Sequence, residues 1–73
     1  MNQKSPILVT RDGFVATVTL NRPAKLNALT KAMWGMLAGT IDALGAERDL
    51  RCIVLRGAGE RAFSPGNDIG EFA

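Results

Sequence analysis

The chain has 73 residues, of which 47% are hydrophobic and 22% are charged, a balance that argues against intrinsic disorder. One domain is the upper limit at this length, and a deep pocket enclosed on all sides is not expected. The nine basic residues form no run and leave a net charge of +2, so nucleic-acid binding through a dense basic patch is not expected.

The first predicted element is a β-hairpin over residues 7–20. Residues 1–6 are polar, and no long apolar stretch follows them, so we expect neither a secretory signal nor a membrane span. Asp12-Gly13 suits a type I′ turn, whose two central residues both need positive φ. From Phe14 onward the apolar positions alternate, which predicts a strand with one buried face, formed by Phe14, Ala16, Val18 and Leu20.

A helix is predicted over residues 31–45, after a loop over residues 21–29. Pro23 ends the strand because it cannot donate to the ladder, and Thr30 suits a helix N-cap. Leu29 and Trp34 have the spacing of a hydrophobic staple. One apolar stripe follows along the helix, formed by Met33, Leu37, Ile41 and Leu44. Gly35 and Gly39 weaken the helix unless they permit close packing against a neighbour.

An unbroken apolar run predicts a strand over residues 52–56 that is buried on both faces, as parallel strands usually are. Cys52 opens this run and is expected to be a buried, reduced thiol, which fits a cytoplasmic location. The chain has no histidine, which excludes a Ser–His–Asp triad within it. Strand 14–20, helix 31–45 and strand 52–56 together predict an α/β fold with a right-handed βαβ unit.

The segment after this strand contains the candidate chemistry. Gly57-Ala58-Gly59 does not fit a dinucleotide-binding fingerprint, which should follow the first strand of its unit and contain the start of a helix. The lysine pattern of a phosphate-binding loop is also absent from the sequence. Residues 64–68 are dense in turn formers, and Asn67 or Asp68 could cap a helix that begins near Ile69. Such a helix start attracts anions, but an ordinary connection with Gly66 at positive φ remains the alternative.

Two segments resemble the enoyl-CoA hydratase/isomerase (crotonase) family. Residues 18–29, Val-Thr-Leu-Asn-Arg-Pro-Ala-Lys-Leu-Asn-Ala-Leu, are similar to the family's strand, loop and helix lead-in. Residues 53–57, followed by Ala-Phe-Ser-Pro-Gly-Asn-Asp-Ile at 62–69, are similar to its second strand and glycine turn. The resemblance implies the amino-terminal part of a crotonase-like spiral of ββα units, with residues 1–73 forming part of one domain.

The resemblance also implies site residues and a reaction. Chemistry in this family passes through a thioester enolate, whose oxygen is held by two backbone N–H groups. The first donor corresponds to Asn67, and the second donor and the acid/base carboxylates are expected beyond position 73. Asp68 and Glu71 are interpreted as a capping residue and an exposed helix residue. Coenzyme A, as part of the substrate, is expected to contact Ala24, Lys25, Leu26, Ala28, Ser64, Pro65, Gly66, Asn67, Asp68 and Ile69; no metal site is predicted.

The reaction itself stays open at this point. Hydration of a 2-enoyl-CoA is the first expectation, and Δ3,Δ2-enoyl-CoA isomerisation is the alternative, because Gly66-Asn67-Asp68 is similar to some isomerases. Lys25 could meet a phosphate of coenzyme A or could be an ordinary solvated lysine. Relatives in this family are expected to be trimers or hexamers. A stand-alone, non-catalytic binding module is the alternative from another class, and the 73-residue chain alone is expected to be inactive.

Overall fold

The computed structural model describes residues 5–60, 63, 64 and 66. Its elements in chain order are strand β1 (Ile7–Asp12), strand β2 (Val15–Leu20), a short 3₁₀ helix (Pro23–Lys25), helix α1 (Lys31–Gly45) and strand β3 (Cys52–Gly57). The sheet has the order β1-β2-β3, with β2 antiparallel to β1 and parallel to β3. The predicted hairpin, helix and βαβ arrangement are therefore confirmed.

The hairpin turn differs from the prediction. Asp12 belongs to β1 and pairs with Val15, so Gly13 and Phe14 form the two-residue loop. Gly13 has a φ of 60°, and neither Asp12 nor Phe14 has a positive φ. A glycine with positive φ at the first central position is the pattern of a type II′ turn. The predicted type I′ turn at Asp12-Gly13 is wrong.

Phe14 also lies outside the strand that was predicted to contain it. Its side chain is 59% exposed, so it does not share the buried face of β2. The Cζ atom of Arg51 lies 5.4 Å from the centre of its ring, a distance at which a guanidinium is attracted to an aromatic face. The carbonyl oxygen of Phe14 accepts hydrogen bonds from the N–H groups of Arg51 and Cys52. The hairpin turn is thus attached to the start of β3.

The core lies between the sheet and α1. Ala16, Val18 and Leu20 are at most 1% exposed, which confirms the period of two in β2. The predicted helix stripe is confirmed too: Met33 and Leu44 are buried in the same cluster, and Leu37 and Ile41 pack against it. The Thr30 Oγ1 accepts a hydrogen bond from the Met33 N–H over 3.1 Å, so the predicted N-cap is also confirmed.

Strand β3 is much less buried than its sequence indicates. Val54 and Leu55 are each 42% exposed, and the Cys52 thiol is free and exposed. Ile53 packs against the core cluster. The prediction of a strand buried on both faces, and of a buried thiol, is wrong for the described part of the chain. The reason is that β3 lies at one edge of the three-stranded sheet, where few neighbours cover it.

The helix glycines meet no close neighbour. A Cβ atom built on Gly35 or Gly39 would have no atom within 4 Å apart from the helix's own backbone. The packing role proposed for them is therefore absent from the described part of the chain. Across residues 5–60 and positions 63, 64 and 66, no helix combines the length and apolar character needed to span a membrane.

Candidate functional site

The loop between β2 and α1 is tightly wound by its own backbone. Its 3₁₀ turn is followed by Leu26 and Asn27, which both have positive φ, at 54° and 63°. The Asn27 N–H donates to the Arg22 carbonyl over 2.8 Å, and the Ala28 N–H donates to the Lys25 carbonyl over 3.1 Å. Two consecutive left-handed residues other than glycine are costly. The loop therefore needs strong anchors.

Asn27 is the main anchor of this loop, and it was not among the predicted site residues. Its side chain is 1% exposed. The Oδ1 atom accepts from the Arg22 N–H over 2.9 Å, and the Nδ2 atom donates to the Ala58 carbonyl over 3.0 Å. Because Ala58 directly follows β3, this amide joins the loop to the far end of the βαβ unit. Burial of a satisfied amide is consistent with the rule for buried polar groups.

Arg22 strengthens the same loop from the other side. Its Nη1 atom donates to the Ala28 carbonyl over 2.9 Å. The Arg22 carbonyl accepts from both Lys25 and Asn27, over 2.9 and 2.8 Å. A single residue thus braces both ends of the loop, and its guanidinium supplies the stronger, charge-assisted type of hydrogen bond.

The glycine turn docks on this loop through two hydrogen bonds. The Ser64 Oγ donates to the Asn27 carbonyl over 2.7 Å, and the Leu29 N–H donates to the Gly66 carbonyl, also over 2.7 Å. Within the turn, the Gly66 N–H donates to the Ser64 Oγ over 3.0 Å. Gly66 has a φ of 94°, a backbone conformation that favours glycine. Two segments that are distant in sequence therefore form one surface.

The structure brings together those predicted contact residues that it describes. Ala24, Lys25 and Leu26 are exposed on the loop, and Ala28 is buried beneath it. Ser64 and Gly66 lie on the docked turn, next to the loop. Four further predicted residues lie outside the described residues, namely Pro65, Asn67, Asp68 and Ile69. The oxyanion role of the Asn67 N–H therefore stays a prediction.

An apolar pocket of about 200 Å³ borders the glycine turn. Ser64 and Gly66 form its polar side, and six apolar residues form the rest: Leu20, Leu29, Trp34, Leu37, Leu55 and Phe63. Leu29 and Trp34, the predicted staple pair, both line it. Apolar walls with a few backbone and hydroxyl groups on one side are typical of small-molecule sites. The arrangement suits a ligand with an apolar part next to a polar one.

A second pocket lies at the carboxyl end of α1 and holds none of the predicted contact residues. It has a volume of about 260 Å³, and its lining includes Glu47, Arg51 and Cys52. Glu47 also forms an ion pair with Arg11. No group of three potential metal-ligating His, Cys, Asp or Glu side chains occurs among the residues that the structure describes.

Known proteins match this chain in sequence and in fold. Residues 15–73 match the enoyl-CoA hydratase/isomerase family. A probable enoyl-CoA hydratase from Rhizobium meliloti is 43% identical over 65 residues, which are 89% of this chain and 25% of that protein. A mitochondrial 3-hydroxyisobutyryl-CoA hydrolase from Danio rerio is 35% identical over 65 residues, covering 89% of this chain and 17% of the relative.

Solved structures agree with the sequence comparison. The crystal structure of an enoyl-CoA hydratase/carnithine racemase from Magnetospirillum magneticum superposes with a TM-score of 0.87 at 48% identity. The match covers 93% of this chain and 26% of that one. The chain thus spans about a quarter of the length of such relatives. Sequence and fold agree, and the chain belongs to the enoyl-CoA hydratase/isomerase family.

Proposed function

We propose that the complete protein acts on acyl-CoA thioesters, most simply by adding water to a 2-enoyl-CoA. The observation that carries this proposal is the hydrogen bond from the Leu29 N–H to the Gly66 carbonyl, at 2.7 Å. This bond holds the backbone of the glycine turn, and the family resemblance implies that this turn contacts the thioester oxygen. Membership of an enzyme family whose named members act on coenzyme A thioesters supports the same assignment.

Peptide planarity links this bond to the proposed oxyanion donor. In a trans peptide the carbonyl of one residue and the N–H of the next lie in one plane and point in opposite directions. The Gly66 carbonyl points at Leu29, and the next N–H along the chain is that of Asn67, which lies outside the described residues. The Gly66 N–H is already bonded to Ser64. We propose the Asn67 N–H as the donor to the thioester oxygen because the family resemblance puts the first oxyanion donor at this residue.

Coenzyme A is proposed to be the part of the substrate by which the protein binds it, and not a permanently bound cofactor. The exposed backbone at Ala24, Lys25 and Leu26 lies on the loop that holds the glycine turn. A ligand that crosses from this loop to Ser64 and Gly66 would place its thioester at the turn. The exposed Lys25 ammonium is proposed to meet a phosphate group of the ligand, where opposite charges attract.

The reaction uses the turn because charge develops on the thioester oxygen. Donors that are already in place stabilise this oxyanion without reorganising when the reaction occurs. The second donor and the carboxylates that move protons are proposed to lie beyond position 73. Water adds to the double bond of a 2-enoyl-CoA through such an enolate, and a proton then completes the 3-hydroxyacyl product.

Double-bond isomerisation is the second candidate, because Gly66-Asn67-Asp68 is similar to some Δ3,Δ2-enoyl-CoA isomerases. When a C2 proton leaves a 3-enoyl-CoA, a conjugated dienolate forms instead, and its charge lies on the same thioester oxygen, so one oxyanion hole serves both reactions. Reactions within the matched relatives also differ, since one is named as a hydrolase. The turn alone therefore supports the thioester class, and the choice of reaction depends on the proton-transfer groups.

The deciding experiment uses the complete gene product that contains this chain. Incubation with crotonyl-CoA should abolish the ultraviolet absorbance of the conjugated thioester if water is added. Formation of a 2-enoyl product from a 3-enoyl-CoA, without water addition, would establish isomerisation instead. Failure to bind or convert any acyl-CoA would contradict the proposal. Salt-sensitive RNA binding in that case would favour the non-catalytic module.

We further propose that the complete protein is a cytoplasmic homo-oligomer, a trimer or a hexamer. The family resemblance implies this association, and Val54 on β3 and Met36 on α1 are exposed apolar side chains that lie outside the pocket. Large exposed apolar patches usually mark surfaces that another polypeptide covers. Analytical ultracentrifugation of the complete gene product would test this, and a monomer at micromolar concentration would contradict it.

A further inference from the structure

One asparagine connects the two segments of the site, and its placement is unusual for a loop residue. Asn27 is 1% exposed, although most asparagines lie on protein surfaces. Its amide is used at both ends, since Oδ1 accepts from the Arg22 N–H and Nδ2 donates to the Ala58 carbonyl. Both partners are backbone groups. The side chain therefore bridges the backbone at the start of the loop and the backbone just after β3, and it holds these two segments at a fixed separation.

The backbone of Asn27 adds a third contact. Its φ of 63° lies in the left-handed region, which asparagine enters several-fold more often than most other residues. Its carbonyl accepts the Ser64 hydroxyl over 2.7 Å. The side chain of Asn27 thus fixes a carbonyl that in turn determines where the hydroxyl of Ser64 points.

The Ser64 hydroxyl links Asn27 to the glycine turn. A serine hydroxyl has one proton to donate and lone pairs that accept. The proton goes to the Asn27 carbonyl, so a lone pair remains for the Gly66 N–H, 3.0 Å away. The Gly66 carbonyl is held separately by Leu29. The N–H and the carbonyl of Gly66 are therefore both held by hydrogen bonds that lead back to the loop.

We propose that Asn27 is a positioning residue for thioester chemistry, acting through Ser64 on the turn that presents the Asn67 N–H. This inference rests on the proposed function. Asn27 touches no substrate in this scheme. It sets the place where the donor meets the developing oxyanion, and errors of about 1 Å in such placement can cost on the order of 100-fold in rate.

The test compares Asn27→Gly, Ser64→Ala and the double variant in the complete gene product. Glycine keeps the left-handed backbone and removes the amide. We expect kcat for crotonyl-CoA to fall roughly 10- to 100-fold in each single variant, with KM changed by less than about threefold. The double variant should be no slower than the slower single variant, because both changes break one chain of hydrogen bonds. Ser64→Thr keeps the hydroxyl and should restore most of kcat.

Asn21→Gly is the matched control. The Asn21 Nδ2 also donates to a backbone carbonyl, that of Ser5 over 3.0 Å, at the other end of the loop from the glycine turn. The same substitution there removes a side-chain hydrogen bond to the backbone and should lower stability while leaving kcat within about twofold of wild type. A loss of kcat in Asn21→Gly as large as in Asn27→Gly would overturn the proposal, since general destabilisation would then explain both.

A spectroscopic measurement separates positioning from folding. Bound acetoacetyl-CoA forms an enolate that absorbs in the ultraviolet, and an oxyanion donor favours this form. In Asn27→Gly the pH midpoint of the enolate absorbance should move upward by about one unit, which is a tenfold change in the equilibrium. An unchanged midpoint together with an unchanged kcat would overturn the role of Asn27.

The failure of the proposed function is distinguishable from the failure of this inference. If the wild-type protein neither binds nor converts acyl-CoA, the proposed function falls, and this inference falls with it. If the wild type is active and Asn27→Gly keeps its kcat, only the inference falls. Should Asn27→Gly fail to fold, Ser64→Ala and its threonine counterpart decide the question, and full activity of Ser64→Ala would overturn the proposal.

Discussion

The Leu29 N–H lies 2.7 Å from the Gly66 carbonyl oxygen and donates a hydrogen bond to it. This bond connects the residue before the N-cap of α1 to the turn after β3. The Gly66 φ of 94° allows the carbonyl to face Leu29. This backbone bond and the positive φ of Gly66 act together with the Ser64 hydroxyl, which accepts from the Gly66 N–H, to set the geometry of the turn.

Gly66→Ala is expected to impair the complete protein through its backbone. A Cβ atom at this position would meet nothing within 4 Å, so no steric clash opposes the substitution. The positive φ is unfavourable for alanine by about 1–2 kcal/mol, and the turn should relax away from Leu29. We expect the free energy of unfolding in urea to fall by that amount and kcat for crotonyl-CoA to fall at least tenfold.

Gly39→Ala is the control for this experiment and a prediction in its own right. Its added Cβ atom would also meet nothing within 4 Å, but Gly39 lies inside α1. Alanine should there stabilise the protein by about 0.5–1 kcal/mol. If Gly39→Ala instead destabilises the complete protein, another segment of it packs against this face of the helix.

Thr30→Ala should destabilise the protein by removing the N-cap of α1. The Met33 N–H would lose its acceptor, the Thr30 Oγ1 at 3.1 Å. Loss of such a cap typically costs about 1 kcal/mol. Urea unfolding followed by circular dichroism measures the effect. Thr30→Ser retains the hydroxyl and should stay within about 0.5 kcal/mol of wild type, whereas equal losses in both variants would show that the methyl group matters more.

Lys25→Met tests whether this lysine meets the substrate. Lys25 is exposed on the loop next to the glycine turn, and an exposed ion pair is worth about 0.2–1 kcal/mol. We therefore expect KM for crotonyl-CoA to rise by up to about fivefold at low salt, with kcat unchanged and a smaller effect at high salt. Arg48→Met removes the same charge beyond the other end of α1. Equal effects of the two variants would identify Lys25 as an ordinary solvated lysine.

The 73-residue chain on its own is expected to be catalytically inactive. It spans about a quarter of its relatives, and one oxyanion donor without its partner loses about 10²- to 10³-fold. Missing acid/base groups would remove a further ~10²- to 10⁴-fold. Turnover of crotonyl-CoA by the purified chain, measured beside the complete gene product, checks this. Activity within tenfold would contradict it, and Asp68→Asn and Glu71→Gln would then show whether either is the base.

Elements governed by neighbours in sequence were predictable. The bounds of α1 at residues 31 and 45, and the cap at Thr30, follow from periodicity and from a hydroxyl three residues before Met33. The alternation in β2 predicted Ala16, Val18 and Leu20 as buried residues for the same reason. Such features depend on chain geometry within a few residues, which is present in the sequence itself.

Properties governed by distant parts of the chain were not predictable. The apolar run at β3 indicated burial, but exposure at Val54 and Leu55 depends on what covers the edge of the sheet. Asn27 was missed because a loop asparagine in sequence gives no sign that Ala58 and Ser64 will surround it. The one local signal was the asparagine of the Asn-Ala-Leu segment, because asparagine adopts the left-handed conformation more often than most other residues.

The parallel pairing of β2 with β3 also determines when the site can form during folding. The hairpin of β1 and β2 closes a loop of two residues and can form within microseconds. Strand β3 must instead return across the whole of α1 before it pairs with β2, which costs more loop-closure entropy and is slower. Among the described residues, the bonds that dock the glycine turn join segments on either side of this crossover, so we expect the site to be the last part of the unit to become ordered. In pulse-labelling hydrogen exchange, the Leu29 amide should gain protection no earlier than the amides of β3, and earlier protection would contradict this order.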